Sequence, residues 1–198
     1  MLLYLHGFNS APSSTKAQQV AAYLRQHFPN EPYAIPQLVT SPELAVAQIM
    51  TIAESAVLAG EPLRLMGSSM GGFLATYLLE TLSRRYPRAE IRAVLINPAV
   101  NPWALMDDLL GEHTNPYTGE VFQVEAQHAE QLQRYNTPRL HCPQGYRVLL
   151  QSGDEVLDYR LAVAKYACSQ LHIEPGGDHS YQHFSTQLPA AFAFLGMA

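Results

Sequence analysis

The chain has 198 residues, 47% of them hydrophobic and 15% charged, with a formal net charge of −5 at pH 7. That length suits one domain with a sizeable core, because a chain of this size buries roughly 70% of the surface its unfolded form exposes. The acidic balance, with no arginine or lysine run to offset it, argues against a general nucleic-acid binder, which needs a basic surface to neutralise phosphates. Met-Leu-Leu-Tyr-Leu at the start lacks the basic flank of a targeting segment, and no apolar run approaches the roughly 20 residues that span a bilayer. Cys142 and Cys168 make no disulfide framework, so two reduced thiols and a cytoplasmic location are expected.

Short apolar runs alternate with longer amphipathic ones. Leu2–His6 reads as a buried strand, and Thr15–Phe28 as a helix with Val20, Leu24 and Phe28 at helical spacing and Pro29 behind it. Tyr33–Leu38 reads as a strand that Pro36 confines to a sheet edge, since proline has no amide hydrogen to donate. Ser41-Pro42-Glu43 offers a capping hydroxyl, a proline at the first helical position and an acid facing the positive end of the dipole, which predicts a helix running to Ala59 and stopping at Gly60. Strands follow at Leu63–Gly67, Arg92–Asn97, Arg147–Ser152 and Gln170–Glu174, with helices at Phe73–Tyr86, Leu161–Cys168 and Phe184–Leu195. Such alternation predicts a parallel sheet covered by helices on both faces. Ala99–Gly145 is the exception, an interval with no central strand and the turn Asn115-Pro116-Tyr117-Thr118-Gly119. A stretch of that length predicts a small, partly helical lid at about 99–145. Trp103, Leu105, Met106, Leu109 and Leu110 read as the apolar side of an ordinary amphipathic lid helix, with a role in lining an acyl pocket as the alternative; Asp107, Asp108 and Glu112 would face solvent.

The segment Gly67-Ser68-Ser69-Met70-Gly71-Gly72 matches G-x-S-x-G between a predicted strand and a predicted helix, the context of a nucleophile elbow. The flanking glycines admit a turn in which strand and helix backbones nearly touch. Ser69 is the expected nucleophile; Ser68, at the variable position, points elsewhere. A serine hydroxyl needs a base, and on this architecture the partners follow in the order acid, then histidine. Asp154, in Gly-Asp-Glu after one strand, and His179, in Gly-Gly-Asp-His after the last, satisfy that order at the carboxyl ends of strands. His179 would take and return the serine proton, and Asp154 would orient the imidazole and stabilise its cation. His183 is the alternative base, and Asp158 and Asp178 are the alternative acids, with Asp158 better suited to opening a helix and Asp178 to shaping a loop. The His6-Gly7-Phe8 turn predicts an oxyanion hole made by the backbone N–H groups of Phe8 and Met70, with His6 bracing the loop. His179 and His183 have i, i+4 spacing, but the run His-Ser-Tyr-Gln-His lacks the glutamate of a zinc helix, so no metal is expected.

Taken together, these residues resemble the YqiA/YcfP family of small α/β-fold hydrolases, and among them the YqiA-type esterases. The segments that carry the likeness are YLHGFNSAPSSTKA, GSSMGGFLATYL, INPAVNPWALMDDLLGEHTNPYTGE, LLQSGDEVLDYRLAV and GGDHSYQHF. The elbow and the His-Gly turn are shared by many hydrolases, whereas the lid segment and GDEVLDYR are far more particular. The resemblance implies an α/β-hydrolase fold and an esterase that uses Ser69, Asp154 and His179 without a cofactor. Its substrates would be small carboxyl esters, with acyl thioesters as a further class. The chain opens almost at the first strand, so the expectation is a minimal, mostly parallel sheet of about six strands without a leading hairpin, residues 1–198 forming one domain. Two other readings keep this architecture: an acyltransferase, and a non-catalytic module that uses the pocket to bind a small ligand. Neither the physiological ester nor the oligomeric state is legible.

Overall fold

The computed structural model describes residues 1–197. In chain order the elements are β1 (Leu2–Leu5), α1 (Thr15–His27), β2 (Tyr33–Ala34), α2 (Pro42–Leu58), β3 (Leu63–Ser68), α3 (Met70–Arg85) and β4 (Ile91–Ile96). An inserted segment then carries the hairpin β5 (Gly111–Thr114) and β6 (Val121–Val124) and the helix α4 (Gln127–Arg134). The chain closes with β7 (Tyr146–Gln151), α5 (Tyr159–Lys165), β8 (Gln170–Glu174) and α6 (Leu188–Phe194). Six strands form one sheet in the order β2-β1-β3-β4-β7-β8, with every neighbouring pair parallel.

Alternation along β1 divides the core in two, because successive side chains of a strand leave opposite faces. Leu3 and Leu5 pack with Ile49 and Ala53 of α2 and Phe73 and Leu78 of α3, while Leu2 and Tyr4 pack with Val20 and Leu24 of α1 and Phe192 of α6. Both faces are therefore covered, as a parallel sheet requires. This is the α/β-hydrolase fold. Its parallel register brings the carboxyl ends of β1, β3, β4, β7 and β8 to one rim: Leu5 lies beside Gly67, Ser68 beside Ile96, and Gln151 beside Glu174.

Several expected boundaries move, each for a local reason. β2 sits at the edge but keeps only two residues of Tyr33–Leu38, in line with the ladder hydrogen bond that Pro36 cannot make. Helix α3 begins at Met70 rather than Phe73, directly on the elbow. Helix α5 runs Tyr159–Lys165, earlier than expected, because Asp158 caps it by accepting a hydrogen bond from the Arg160 amide at 3.0 Å. The last helix begins at Leu188, preceded by a 3₁₀ turn over Phe184–Gln187; Pro189 cannot donate back to residue 185, so one continuous helix from 184 is excluded.

The inserted segment departs most from expectation. Its Leu-Met-Asp-Asp-Leu-Leu stretch is not an amphipathic helix but two 3₁₀ turns, Pro102–Leu105 and Asp107–Leu109, bracketed by Pro102 and Gly111. The apolar positions accordingly scatter: Met106 is buried and Leu110 is exposed. The hairpin that follows was not anticipated. Asn115 builds its turn by accepting from the amides of Tyr117 (2.9 Å) and Thr118 (3.1 Å). Among the described residues no helix is long and apolar enough to cross a membrane. Cys142 and Cys168 are unpaired.

Candidate active site

Ser69 occupies the bend between β3 and α3 at φ 55°, ψ −120°. A non-glycine residue reaches such a conformation only at a cost of roughly 1–3 kcal/mol, which the surroundings must offset. Here the surroundings are steric. A Cβ at Gly71 would run into the Leu5 carbonyl, and one at Gly67 would run into the Gly71 backbone. Only bare backbone allows β1, β3 and α3 to converge so closely. The Ser69 amide donates to Ile96 O at 3.0 Å, and Ser69 O accepts from the Ala99 amide at 3.0 Å, tying the bend to the end of β4.

His179 reaches this bend from the loop after β8. Its Nδ1 lies 3.0 and 2.9 Å from the two Asp154 carboxylate oxygens, and its Nε2 lies 3.1 Å from Ser69 Oγ. A carboxylate only accepts, so Nδ1 carries the proton and donates it. Nε2 is then left with a lone pair for the serine hydroxyl. The Asp154 side chain is 2% exposed. Burial alone would raise its pKa, but hydrogen bonds from His179 and from the Leu157 and Val156 amides (2.8 and 2.9 Å), together with the charge of His179, outweigh that and hold the carboxyl below its ordinary range. The structure thus brings Ser69, Asp154 and His179 into one line. The alternatives fall outside it: Ser68 is buried as the last residue of β3, Asp158 caps α5, and Asp178 accepts from Gln182 Nε2 at 3.0 Å. His183 precedes a 3₁₀ turn at φ 59°, so it does not share a helix with His179. Among the described residues no cluster of three His, Cys, Asp or Glu side chains could hold a metal ion.

The loop after β1 completes the site. A Cβ on Gly7 would stand 3.2 Å from Ser69 Cβ, so the backbone leading to Phe8 lies directly against the bend. Among the described residues, neither the Phe8 nor the Met70 amide donates to a protein acceptor. His6, 3% exposed, holds this loop: the Leu38 amide donates to its Nε2 at 3.1 Å, so its Nδ1–H donates to Gly7 O at 2.9 Å. Burial holds the His6 imidazole below its ordinary pKa, although the Gly7 carbonyl pulls the other way. The Phe8 ring meets His113 and Phe122 of the hairpin edge-on, both at 5.8 Å, and Asn115 Nδ2 donates to Ser10 O at 2.9 Å. Two cavities flank the loop. One, of about 500 Å³, contains Ser69 and His179. The other, of about 70 Å³, lies beside Phe8 and Met70 under Leu74, Met106, Phe122 and Leu132.

Two residues that hold the His179 loop escaped the sequence reading. Gln151, 3% exposed, accepts from the amides of Asp178 (3.1 Å) and Gln182 (2.8 Å) and donates to Glu174 and to Gln182 O. Asn97, 2% exposed, donates to the carbonyls of Asp178 (3.1 Å) and His179 (3.3 Å) and accepts from the Gln151 amide. Each is a polar residue at the carboxyl end of an apolar run, VLLQ and AVLIN, and that was the available signal: a buried amide at a strand end has to be spent on something.

Residues 1–196 match the uncharacterised protein family UPF0227, the YqiA/YcfP family. The chain belongs to that family. Solved structures similar to this UPF0227 member share its fold at low identity. The α/β hydrolase domain-containing protein 10 from mouse is 16% identical, with a TM-score of 0.69 over 97% of this chain and 87% of its own. A monoacylglycerol lipase of Paleococcus ferrophilus is 14% identical, with a TM-score of 0.69 over 100% of this chain and 94% of its own. Est1E from Butyrivibrio proteoclasticus, solved with ferulic acid bound, is 13% identical, with a TM-score of 0.66 over 98% of this chain and 87% of its own.

Proposed function

We propose that this protein is a serine esterase that hydrolyses small carboxyl esters, and acyl thioesters by the same route. The observation that carries the reading is the continuous line from Ser69 Oγ through His179 to Asp154, at 3.1 and 2.9 Å. Ser69 Oγ attacks the ester carbonyl carbon as its proton passes to His179 Nε2. The oxyanion that forms accepts from the Phe8 and Met70 amides, each such donor contributing roughly 3–4 kcal/mol to the transition state. The bond from the acyl carbon to the leaving oxygen breaks, and His179 returns its proton to that oxygen. Water then attacks the acyl-enzyme and gives a proton to His179; the acid departs and Ser69 recovers its hydrogen. Asp154, kept ionised by its hydrogen bonds, stabilises the imidazolium in both steps.

In this reading the chain acts as one domain, with the segment at about 99–145 as its lid. The support is that Met106 and Phe122 of that segment roof the small apolar cavity beside the two amides, a place for a short acyl chain. A fluorophosphonate probe tests the proposal: the folded protein should acquire an adduct on Ser69, and Ser69→Ala should lose both the adduct and ester turnover. A folded protein whose Ser69 stays unlabelled overturns it.

A further inference from the structure

The 500 Å³ cavity beside Ser69 is of ordinary size for a small-molecule site, but its walls are chemically one-sided. No aspartate or glutamate is among the residues that line it, although the chain as a whole is acidic. Lys16 does line it, its Nζ donating to Ser180 O at 2.8 Å, one residue from His179, with two further N–H bonds unassigned. Burial lowers the Lys16 pKa, and the charges of Asp178 and Asp154 oppose that shift. Lys16 lies in the first turn of α1, a 13-residue helix with no acidic residue in that turn and no side-chain cap on its amides. Such a terminus favours an anion, but several polar groups point to a ligand independently of it. Ser14, 7% exposed, lines the cavity and makes no capping bond. Tyr4, 1% exposed, lines the same cavity. Gln19 Oε1 is buried there without a partner as well; as an acceptor it calls for a hydrogen-bond donor on the ligand beside the anion. Buried polar groups are rarely left unpaired without a reason, and a row of them beside a nucleophile describes a place that a substrate fills.

We propose that this cavity is a leaving-group subsite for an alcohol carrying a compact anion, a carboxylate or a phosphate, held by Lys16 with the Ser14 and Tyr4 hydroxyls. The assignment to the leaving group rests on the esterase reading above: His179 must protonate the departing oxygen, and His179 lines this cavity and not the apolar one. The acyl chain is left to the Phe8–Met70 side. The protein is then selective for esters of anionic alcohols over esters of neutral ones.

Three acetate esters test this on the full chain: those of benzyl alcohol, of 4-(hydroxymethyl)benzoate and of 4-(hydroxymethyl)phenyl phosphate. A charge-assisted contact predicts that kcat/KM for at least one anionic ester exceeds that for the neutral ester by about tenfold or more, with the two anionic arms telling carboxylate from phosphate. Lys16→Gln should bring that ratio close to one. Gln19→Glu, which puts a carboxylate into the same wall, should drive it below one and serves if Lys16→Gln does not fold. A wild-type ratio of one or less for both anions, or a preference that survives both substitutions, overturns the proposal. Binding of benzoate and of inorganic phosphate to Ser69→Ala, with and without Lys16→Gln, separates this failure from that of the esterase reading. If wild type turns over none of the esters but Ser69→Ala binds an anion about tenfold more tightly when Lys16 is present, the anion site stands, while its assignment to a leaving group falls with the esterase reading.

Discussion

The bend at Ser69 and the hairpin of the inserted segment lie on either side of Phe8, yet they are built on opposite terms. At the bend every feature is forced: a strained serine, glycines whose Cβ atoms would overlap neighbouring backbone, and amides tied to the end of β4. The hairpin is permissive. Apart from the buried Val124, its strands alternate between half-buried and exposed positions, and nothing lies within 4 Å of where a Cβ on Gly111 or Gly119 would sit. Where backbone meets backbone, few residue types fit and the local sequence announces the structure. Where side chains merely rest on one another, many sequences would do.

The contrast can be broken from either side. Asp154→Asn should have the largest effect, lowering kcat by about a thousandfold or more with the fold kept, because an asparagine cannot fix the His179 tautomer; circular dichroism beside ester kinetics would show both. Gly71→Ala should destabilise by at least about 3 kcal/mol in urea unfolding, since Leu5 cannot retreat from the centre of the sheet. Gly119→Ala, strained only by its φ of 73°, should cost about 1 kcal/mol. Equal costs would erase the distinction between forced and permissive regions. Phe122→Ala removes the edge-on support of Phe8 and should cost about 1–2 kcal/mol. It should also lower kcat severalfold; an unchanged kcat would mean that the hairpin does not steady the Phe8 amide.

The smallest effect concerns pH. His6 is held neutral in the fold, its pKa lowered by burial, so its contribution is present above the unfolded value of about 6.5 and is lost as pH falls through the lower folded one. Between pH 7 and 5 the urea midpoint of the wild type should fall, by less than about 1 kcal/mol in stability, and more steeply than that of His6→Gln.

What could be read in advance follows the same division. The six-stranded parallel sheet was legible because Leu2–Leu5, Ala93–Ile96 and Val148–Leu150 are apolar runs too short for anything but buried strands. Ser69, Asp154 and His179 could be nominated because each follows a strand in a fixed order, beside glycines whose task is steric. The hairpin was not legible, because Glu112-His113-Thr114 and Val121-Phe122-Gln123 are weakly apolar and take their strand form from Phe8, a hundred residues away in the chain. Gln151 and Asn97 stayed hidden for another reason. Their tasks are defined by backbone groups of the Asp178–Gln182 loop, and no spacing along the chain encodes that meeting.

The two ends of the inserted segment are moored independently of its middle. The outgoing end is held where the Ala99 amide bonds Ser69 O, and the returning end where the buried Glu80 carboxylate accepts from the His141 amide at 2.9 Å and the Tyr146 hydroxyl at 2.8 Å. The stretch between is anchored where Met106, Val124 and Leu132 enter the core and where Phe122 and His113 meet Phe8. Another hairpin could be grafted across the same two moorings if it kept those contacts, redrawing the ceiling over the small apolar chamber from its exposed positions alone.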